Sequence, residues 1–384
     1  MLRIAALALV AVLAGSCTRT PPPARFIAEG LPQKLSQWHL LISDGRTLRL
    51  NARVLPYDLN TPLFSDYAHK LRTVWMPEGT RAAYAAEAAF DFPVGTVISK
   101  TFYFPLPPGD RDERRVARTD VSTLVGETLD LRRVRLVETR LLVRREAGWL
   151  ALPYVWDADQ RDASLQRIGA LIPMDLVDAS GKREELAYQV PDQNQCASCH
   201  NTDNLARTLQ PIGLKARHLN RDFDYAAGRA NQLEAFVKAG YLDSLPAVAA
   251  IPRAADARDA GAGLDARARA YLDINCGHCH STKGPANTSG LFLDVAHEPG
   301  IHFGFCKQPV AAGKGTGDRL YDIKPGDAAG SVLLYRMEST DPAVMMPELG
   351  RSIAHAEGTR LIAQWIDSLD TRCEHGEPLA GKNR

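Results

Sequence analysis

The chain has 384 residues, a length that suits roughly two or three domains, each with its own hydrophobic core. Lysine and arginine number 46 against 45 for aspartate and glutamate, so the net charge at pH 7 is only +1. This balance argues against nucleic acid or an anionic membrane surface as a partner. The hydrophobic content of 45% is ordinary for a soluble globular protein.

The N-terminus has the pattern of a bacterial export signal. Arg3 precedes an apolar run, Ile4–Leu13, that is too short to span a bilayer, and small residues precede Cys17. The stretch LAGSC resembles a lipobox, whose cysteine becomes the lipidated N-terminus, although its leucine lies one position too far from the cysteine. We expect a lipoprotein-type signal (1–17), lipidation of Cys17 and a stiff tether (18–30). A plain secretory signal is the alternative, and both place the mature protein in the periplasm.

Residues 31–190 have the pattern of a β-rich domain. Val94–Phe104 is dense in β-branched and aromatic residues, and Trp149–Trp156 reads as the return strand of a hairpin that begins with Arg135–Arg145. In the first strand of that hairpin, Val137, Thr139, Leu141 and Val143 share one face, and Glu138, Arg140 and Arg144 share the other. The pattern predicts an antiparallel sheet with one solvated face. No residue spacing in this domain specifies a reaction.

Helical spacing replaces strand alternation after Pro191. Apolar stripes predict amphipathic helices over Arg229–Leu242, Leu264–Asn275 and Ala356–Leu369. Asp265 suits the cap or the first turn of the second helix. Ser244–Gly263 is rich in proline and alanine and reads as a linker.

Two segments of this helical part share the pattern Cys-X-X-Cys-His. QCASCH contains Cys196, Cys199 and His200, and NCGHCH contains Cys276, Cys279 and His280. In c-type haem sites two thiols form thioether bonds to the porphyrin, and the next histidine ligates the iron. The sequence therefore predicts a metal-binding protein with two covalently bound haem c groups, and it predicts that His278 points away from the iron of its own motif.

Two other readings of the cysteine pairs remain open. Four thiolates could bind zinc, but the separation between the pairs far exceeds the usual spacing of a zinc knuckle. A thioredoxin-like dithiol expects one reactive pair between a strand and a helix. Neither reading explains a histidine after both pairs.

A six-coordinate haem needs one more ligand, usually methionine or histidine. For the second haem we expect Met346, which precedes Pro347 in the loop before the last helix, rather than Met345. His297 and His302 are the alternatives for this position. For the first haem the candidates are His218, or Met174 or Met76 from the β-rich domain, or an open or water-bound position. The predicted iron ligands are thus His200, His280, Met346 and His218.

Cys306 and Cys373 belong to neither motif. In an exported protein two remaining thiols pair readily, so we expect a Cys306–Cys373 disulfide. The alternative is two buried, unpaired thiols.

The order of helix, CGHCH, Met-Pro loop and a final helix with Trp365 resembles a class I cytochrome c domain. Leu55–Thr80, Phe90–Phe104, Arg135–Asp157 and NQCASCH make nearly the whole mature chain similar to a family of bacterial diheme c-type cytochromes of uncharacterised physiological role. The resemblance implies an exported, haem-carrying protein. Members are often associated with parallel β-helix proteins, which points to a surface or polysaccharide-linked pathway.

The expected fold class is multidomain α+β, with an N-terminal antiparallel β-rich domain followed by an α-helical cytochrome c-like region. The expected parts are a β-rich domain (31–190), a first haem region (191–245), a linker (246–263), a cytochrome c-like domain (264–375) and a tail (376–384).

The expected function is electron transfer between a redox partner protein and a respiratory or periplasmic chain, with a lipid on Cys17 as the membrane anchor and no catalytic residue. Saturated haem iron passes electrons without binding peroxide or oxygen readily. One alternative is a diheme peroxidase-like enzyme in which the first haem is open. Another is a haem-linked dehydrogenase in which the β-rich domain binds the substrate.

Overall fold

The computed structural model describes residues 20–110, 112, 114–119, 123–310 and 313–373, so the predicted signal and Cys17 lie outside the described residues. The strands are β1 (Leu41–Ser43), β2 (Thr47–Leu50), β3 (Leu55–Tyr57), β4 (His69–Trp75), β5 (Val97–Pro105), β6 (Arg115–Ala117), β7 (Thr128–Asp130), β8 (Val134–Arg145), β9 (Gly148–Trp156), β10 (Ala163–Leu165), β11 (Ala170–Val177), β12 (Arg183–Val190), β13 (Asp222–Tyr225) and β14 (Gly228–Asn231). The helices are α1 (Gln193–His200), α2 (Ala216–Leu219), α3 (Gln232–Lys238), α4 (Leu264–Leu272), α5 (Val332–Glu338) and α6 (Ala356–Asp367).

The largest sheet has six strands in the order β10-β9-β8-β5-β4-β3, and all neighbours are antiparallel. The predicted hairpin is confirmed as β8 and β9, which a tight turn ending at Gly148 connects. Gly148 has a φ of 120°, a conformation that other residues rarely adopt. Smaller sheets are β1-β2-β7, β12-β11-β6 and β13-β14, and only the β6–β11 pair is parallel among the described strands.

Both faces of the six-stranded sheet are covered, so the prediction of one solvated face is wrong. One face packs on a core that contains Trp38, Leu141 and Tyr154. On the other face Glu138 is 0% exposed, and its carboxylate accepts hydrogen bonds from Arg140 and from Tyr188 of β12. Of the charged half of the alternation, Arg140 lines a cavity between the sheet and the helical part.

A register shift in β8 explains a second departure from the predicted alternation. Phe102 pairs with Glu138, but the next residue of β5, Tyr103, pairs with Leu136, so Val137 is left over. Such a bulge turns the following side chains to the opposite face. Val137 consequently packs in a separate core with Phe102 rather than beside Leu141.

Two of the three predicted helices form over most of their length. α6 buries the apolar stripe predicted for it, including Trp365. α4 ends at Leu272, and a π-helical turn, Asp273–Gly277, follows it directly. The indole of Trp365 donates to the Asp265 carboxylate in the first turn of α4 (2.9 Å), which ties the two helices together. The helix predicted over Arg229–Leu242 is shorter, since its first residues belong to β14 and only Gln232–Lys238 is α-helical.

The β-rich and helical parts share a hydrophobic core. One buried cluster contains Tyr57 and Ile98 from the sheet together with Leu214, Phe236 and Ile274 from the helical part. The fold is therefore α+β, with an antiparallel β-rich N-terminal half packed directly against the elements that carry both cysteine motifs. No helix among the described residues is long and apolar enough to cross a membrane.

Candidate functional site

The first motif lies on α1, and the start of this helix is encoded locally. The Asp192 carboxylate accepts hydrogen bonds from two amides of the first turn, and the Gln195 side chain accepts one from the Asp192 amide (3.0 Å). This capping box satisfies amides that the first turn would leave unpaired. Cys196, Cys199 and His200 follow at helical spacings of three and four, so their side chains project from one face.

The second motif begins on the π-helical turn after α4, which carries Cys276. Gly277 is required there, because a Cβ atom would lie 2.8 Å from the Cα of Asp294. The side-chain oxygen of Asn275 accepts a hydrogen bond from the Phe64 amide (2.8 Å), so the motif is held directly against the β-rich half. The position of Cys276 is therefore determined by both halves of the chain.

The histidines that end the two motifs have the same hydrogen-bond environment. His200 Nδ1 lies 2.8 Å from the Gln210 carbonyl, and His280 Nδ1 lies 3.3 Å from the Leu291 carbonyl. A neutral ring that donates from Nδ1 keeps the lone pair of Nε2 for a ligand. Burial lowers the pKa of His200 to about 3 and also lowers the pKa of His280. Both rings are therefore neutral near pH 7 and can act as metal ligands through Nε2.

The two motifs are neighbours in space although they are far apart in sequence. Cys279 Sγ lies 3.9 Å from the Ser198 carbonyl. A cavity lies beside them, and its wall includes Cys196, Cys199, His200, Cys276 and His278. Cys279 and His280 are not part of that wall. The fold thus brings the whole first motif and one thiol of the second to the same space.

Met346 also reaches the wall of this cavity. Its loop is held by hydrogen bonds from the Met346 amide to the Arg336 carbonyl (2.9 Å) and from Arg351 to the Met346 carbonyl (2.9 Å). The Met346–Pro347 peptide is cis. Met337 lies on the same wall, whereas Met345 is buried elsewhere. Of the two adjacent methionines, the structure brings the predicted one, Met346, to the cavity.

The candidates for the far side of the first haem do not reach the cavity. His218 is 1% exposed and its Nε2 lies 3.5 Å from the Asp273 carboxylate, outside the cavity wall. Burial lowers the pKa of His218 to about 4. Met174 and Met76 fill hydrophobic cores. The structure therefore does not bring His218, Met174 or Met76 together with His200.

Two other histidines share the cavity wall with His200. His278 lies there, although its place inside the second motif predicts that it points away from that motif's iron. His355 stacks on Phe64 (4.2 Å between ring centroids) and forms a hydrogen bond to the Tyr271 hydroxyl (2.9 Å). Nothing in the sequence near His355 marks it, because only the tertiary fold brings the start of α6 to the first motif.

The thiols of both motifs lack the properties of a redox dithiol. Burial raises the pKa of Cys196 to about 11 and the pKa of both Cys276 and Cys279 to about 12, and it raises that of Cys199 as well. Reactive dithiols instead have lowered pKa values. The thioredoxin-like reading is therefore disfavoured.

The expectation of a metal-binding protein is wrong for a site built from the chain's own side chains. Within the described ranges, no group of three or more His, Cys, Asp or Glu residues is arranged to hold a metal ion. The four cysteines accordingly do not form a zinc site. A haem iron needs fewer protein ligands, because the porphyrin supplies four of its ligands and the protein supplies only one or two.

The disulfide prediction is confirmed. Cys306 and Cys373 are bonded, with their Cα atoms 5.3 Å apart. The four motif cysteines are free thiols. The bond joins the long segment after the second motif to the residues that follow α6.

Comparison with known proteins found no relative of this chain. No protein-family model, no curated protein and no solved structure matches it. The family resemblance noted in the sequence stays a prediction, and function has to be argued from the site.

Proposed function

We propose that this protein is an exported c-type cytochrome that carries two covalently bound haem c groups and transfers electrons. One observation carries the proposal: two Cys-X-X-Cys-His motifs, far apart in sequence, lie side by side, and each ends in a half-buried neutral imidazole whose Nδ1 donates to a backbone carbonyl. Zinc and dithiol chemistry account for neither histidine. When bound, the haems would supply one-electron chemistry, and the chain would attach, orient and shield them.

The cavity fits a large, mostly apolar group better than a small ion. Apolar side chains from both halves of the chain, such as Leu63, Ile98 and Ile274, form much of its wall. Cys196 and Cys199 would attach one haem and Cys276 and Cys279 the other, with His200 and His280 as the respective ligands.

The methionine loop supports a carrier rather than an oxygen-binding site at the second haem. Met346 and His280 would both hold the second haem, and Arg351 holds the loop that carries Met346. A saturated iron with a methionine ligand has a raised potential and resists binding peroxide. For the first haem, His278 and His355 line the cavity and are better placed than His218.

The contact between α4 and α6 supports a cytochrome c-like C-terminal region. In the class I cytochrome fold the helix before the motif and the final helix pack together, and here Trp365 bonds to Asp265 across that contact. The Cys306–Cys373 bond would brace the long insertion before Met346. Membership of the diheme family suggested by the sequence is part of this proposal.

The same disulfide supports a location outside the cytoplasm. Structural disulfides persist in oxidising compartments such as the periplasm. We propose that Cys17 carries the lipid anchor. The proposed partner is a redox protein at the periplasmic side of the membrane. Loss of lipid labelling in a Cys17→Ser protein would test the anchor.

The haem stoichiometry tests the proposal most directly. The protein is expressed with the c-type maturation machinery, denatured and assayed for covalently bound haem. Two haems per chain are expected, and one in each of the C196A/C199A and C276A/C279A variants. The C306S/C373S protein is the matched control and should keep two. A wild-type protein without covalent haem would refute the proposal.

Carbon monoxide and peroxide distinguish a carrier from a peroxidase-like enzyme. A carrier should show two low-spin, six-coordinate irons whose spectra do not change when either reagent is added. A high-spin signal that carbon monoxide removes would instead favour an open first haem. His218 does not line the cavity, and this observation favours the peroxidase-like alternative.

A further inference from the structure

Three cations lie side by side on the sheet face that forms the floor of the cavity. Arg72 of β4 pairs with Lys100 of β5, and Lys100 pairs with Arg140 of β8. Directly opposite residues in antiparallel strands have their side chains on the same face, and like charges there destabilise the sheet. All three side chains line the cavity. We refer to Arg72, Lys100 and Arg140 as the cationic row.

The outer members of the cationic row are each neutralised by a carboxylate of the protein. Arg72 donates to Asp58 (2.6 Å), and Arg140 donates to both oxygens of Glu138 (2.8 and 2.5 Å). Tyr188 also donates to Glu138 (2.6 Å), so this carboxylate is fully engaged. Neither acid is therefore free to serve the central residue of the row.

The central member, Lys100, has no such partner. Throughout the part of the chain that the structure describes, no carboxylate lies within ion-pair distance of its ammonium group. Its nearest aromatic contact is the ring of Phe102 (5.3 Å), which Arg140 also approaches (4.2 Å). Burial is the main cause that lowers the pKa of Lys100, to about 7. A half-buried cation without a counterion is costly, and a carboxylate ligand in the cavity would remove that cost.

The rest of the cavity wall has the same sign of charge. Arg351 is the other cation on it, and its guanidinium donates to backbone carbonyls, including those of Met346 and Ser339. No aspartate or glutamate is among the described residues that line this cavity. An apolar wall with unneutralised positive charge suits a ligand that has an apolar body and carboxylate groups.

We propose that the cationic row is a carboxylate-binding subsite and that it binds the propionate carboxylates of the haem attached to Cys196 and Cys199. This inference rests on the proposed function. The first motif is the one concerned, since its helix α1 packs against β9, the strand next to β8, and all three of its functional residues share the cavity with the row. Lys100 is the residue whose charge the carboxylates would neutralise.

The test compares the reduction potentials of the holoprotein and its Lys100 variants. Lys100→Met removes the charge but keeps the length of the side chain, and Lys100→Arg keeps the charge. Lys238→Met is the matched control, because Lys238 is an exposed residue of α3 away from the cavity. We expect the potential of one haem to fall in K100M, since a nearby cation favours the reduced iron, and to stay near the wild-type value in K100R and K238M. The resonance Raman bands of the haem propionates should shift in K100M alone.

The outcomes separate this inference from the function on which it rests. Unchanged potentials in a K100M protein that holds two haems would overturn the subsite and leave the cytochrome intact. A folded K100M that loses only the first haem supports it if K100R restores that haem, and overturns it if K100R does not. A wild-type protein without haem refutes the cytochrome and the subsite together.

A second arm distinguishes the haem carboxylates from a soluble acid. Succinate and inorganic phosphate are added separately to the wild-type holoprotein and to K100M. No change of either potential is expected, because the subsite is already filled. A potential that shifts with succinate in the wild type and not in K100M would show that the row binds a soluble anion, and would overturn the assignment to the haem.

Discussion

Removal of the Cys306–Cys373 bond should destabilise the C-terminal region by an amount that follows from the length of the closed loop. The two cysteines are 67 positions apart. The chain-entropy relation for a loop of that size gives about 4 kcal/mol at 25 °C. We therefore expect the C306S/C373S double variant to lose about 4 kcal/mol of unfolding free energy. The double variant is used because a single substitution would leave a free thiol.

Urea unfolding followed by circular dichroism measures this loss. With a slope of about 2–3 kcal/mol per molar urea, the midpoint should fall by roughly 1.3–2 M. Wild-type protein in reductant should match the variant, which controls for effects of the serines themselves. A loss below about 1 kcal/mol with an unchanged slope would refute the loop-entropy reasoning. It would mean that the segment between the cysteines is already constrained when unfolded.

Three further predictions concern single side chains. Met346→Ala should abolish the near-infrared band of a thioether-ligated iron. The control Met174→Leu changes a separate core and should leave the band intact. If the band persists in M346A, another methionine is the ligand. Glu138→Gln should lower the free energy of unfolding, measured in urea, by about 3–5 kcal/mol because it leaves a half-buried arginine unpaired. The control Glu146→Gln lies in an exposed turn and should lower it by less than about 0.5 kcal/mol. The pKa of His218 is about 4 in the folded protein and 6.5 in the unfolded chain. Between pH 6.5 and pH 4 the unfolded chain therefore binds more protons, so the free energy of unfolding falls as the pH drops through this range. The difference in unfolding free energy between wild type and His218→Gln should change by about 2 kcal/mol from pH 7 to pH 5, and a pH-independent difference would contradict the buried neutral ring.

Several elements could be predicted because their signals are local. The hairpin of β8 and β9 follows from alternation and a short turn, and α6 follows from an apolar stripe at helical spacing. The disulfide followed from counting cysteines that no motif used. Each of these inferences depends on residues whose chemistry is independent of what packs on them.

The predictions that failed depended on which other part of the chain packs against a segment. The alternation that contains Glu138 and Arg140 predicts a solvated face, yet the same alternation forms the floor of a cavity when another part of the chain covers it. His218 follows its motif closely enough to reach the iron, but α2 turns it toward Asp273. His355 is far from the first motif in sequence and lines the same cavity in the fold.

The sequence by itself determined the attachment chemistry proposed here, because the two thiols and the imidazole of each motif are neighbours along the chain and need no tertiary contact to be recognised. It also determined the α+β character, since strand and helix periods are local. Only the tertiary structure decided that the two motifs adjoin, that His218 lies apart from His200, and that Arg72, Lys100 and Arg140 form one row. The physical reason is that burial, cross-strand register and the sign of charge around a cavity are properties of segments that meet in space.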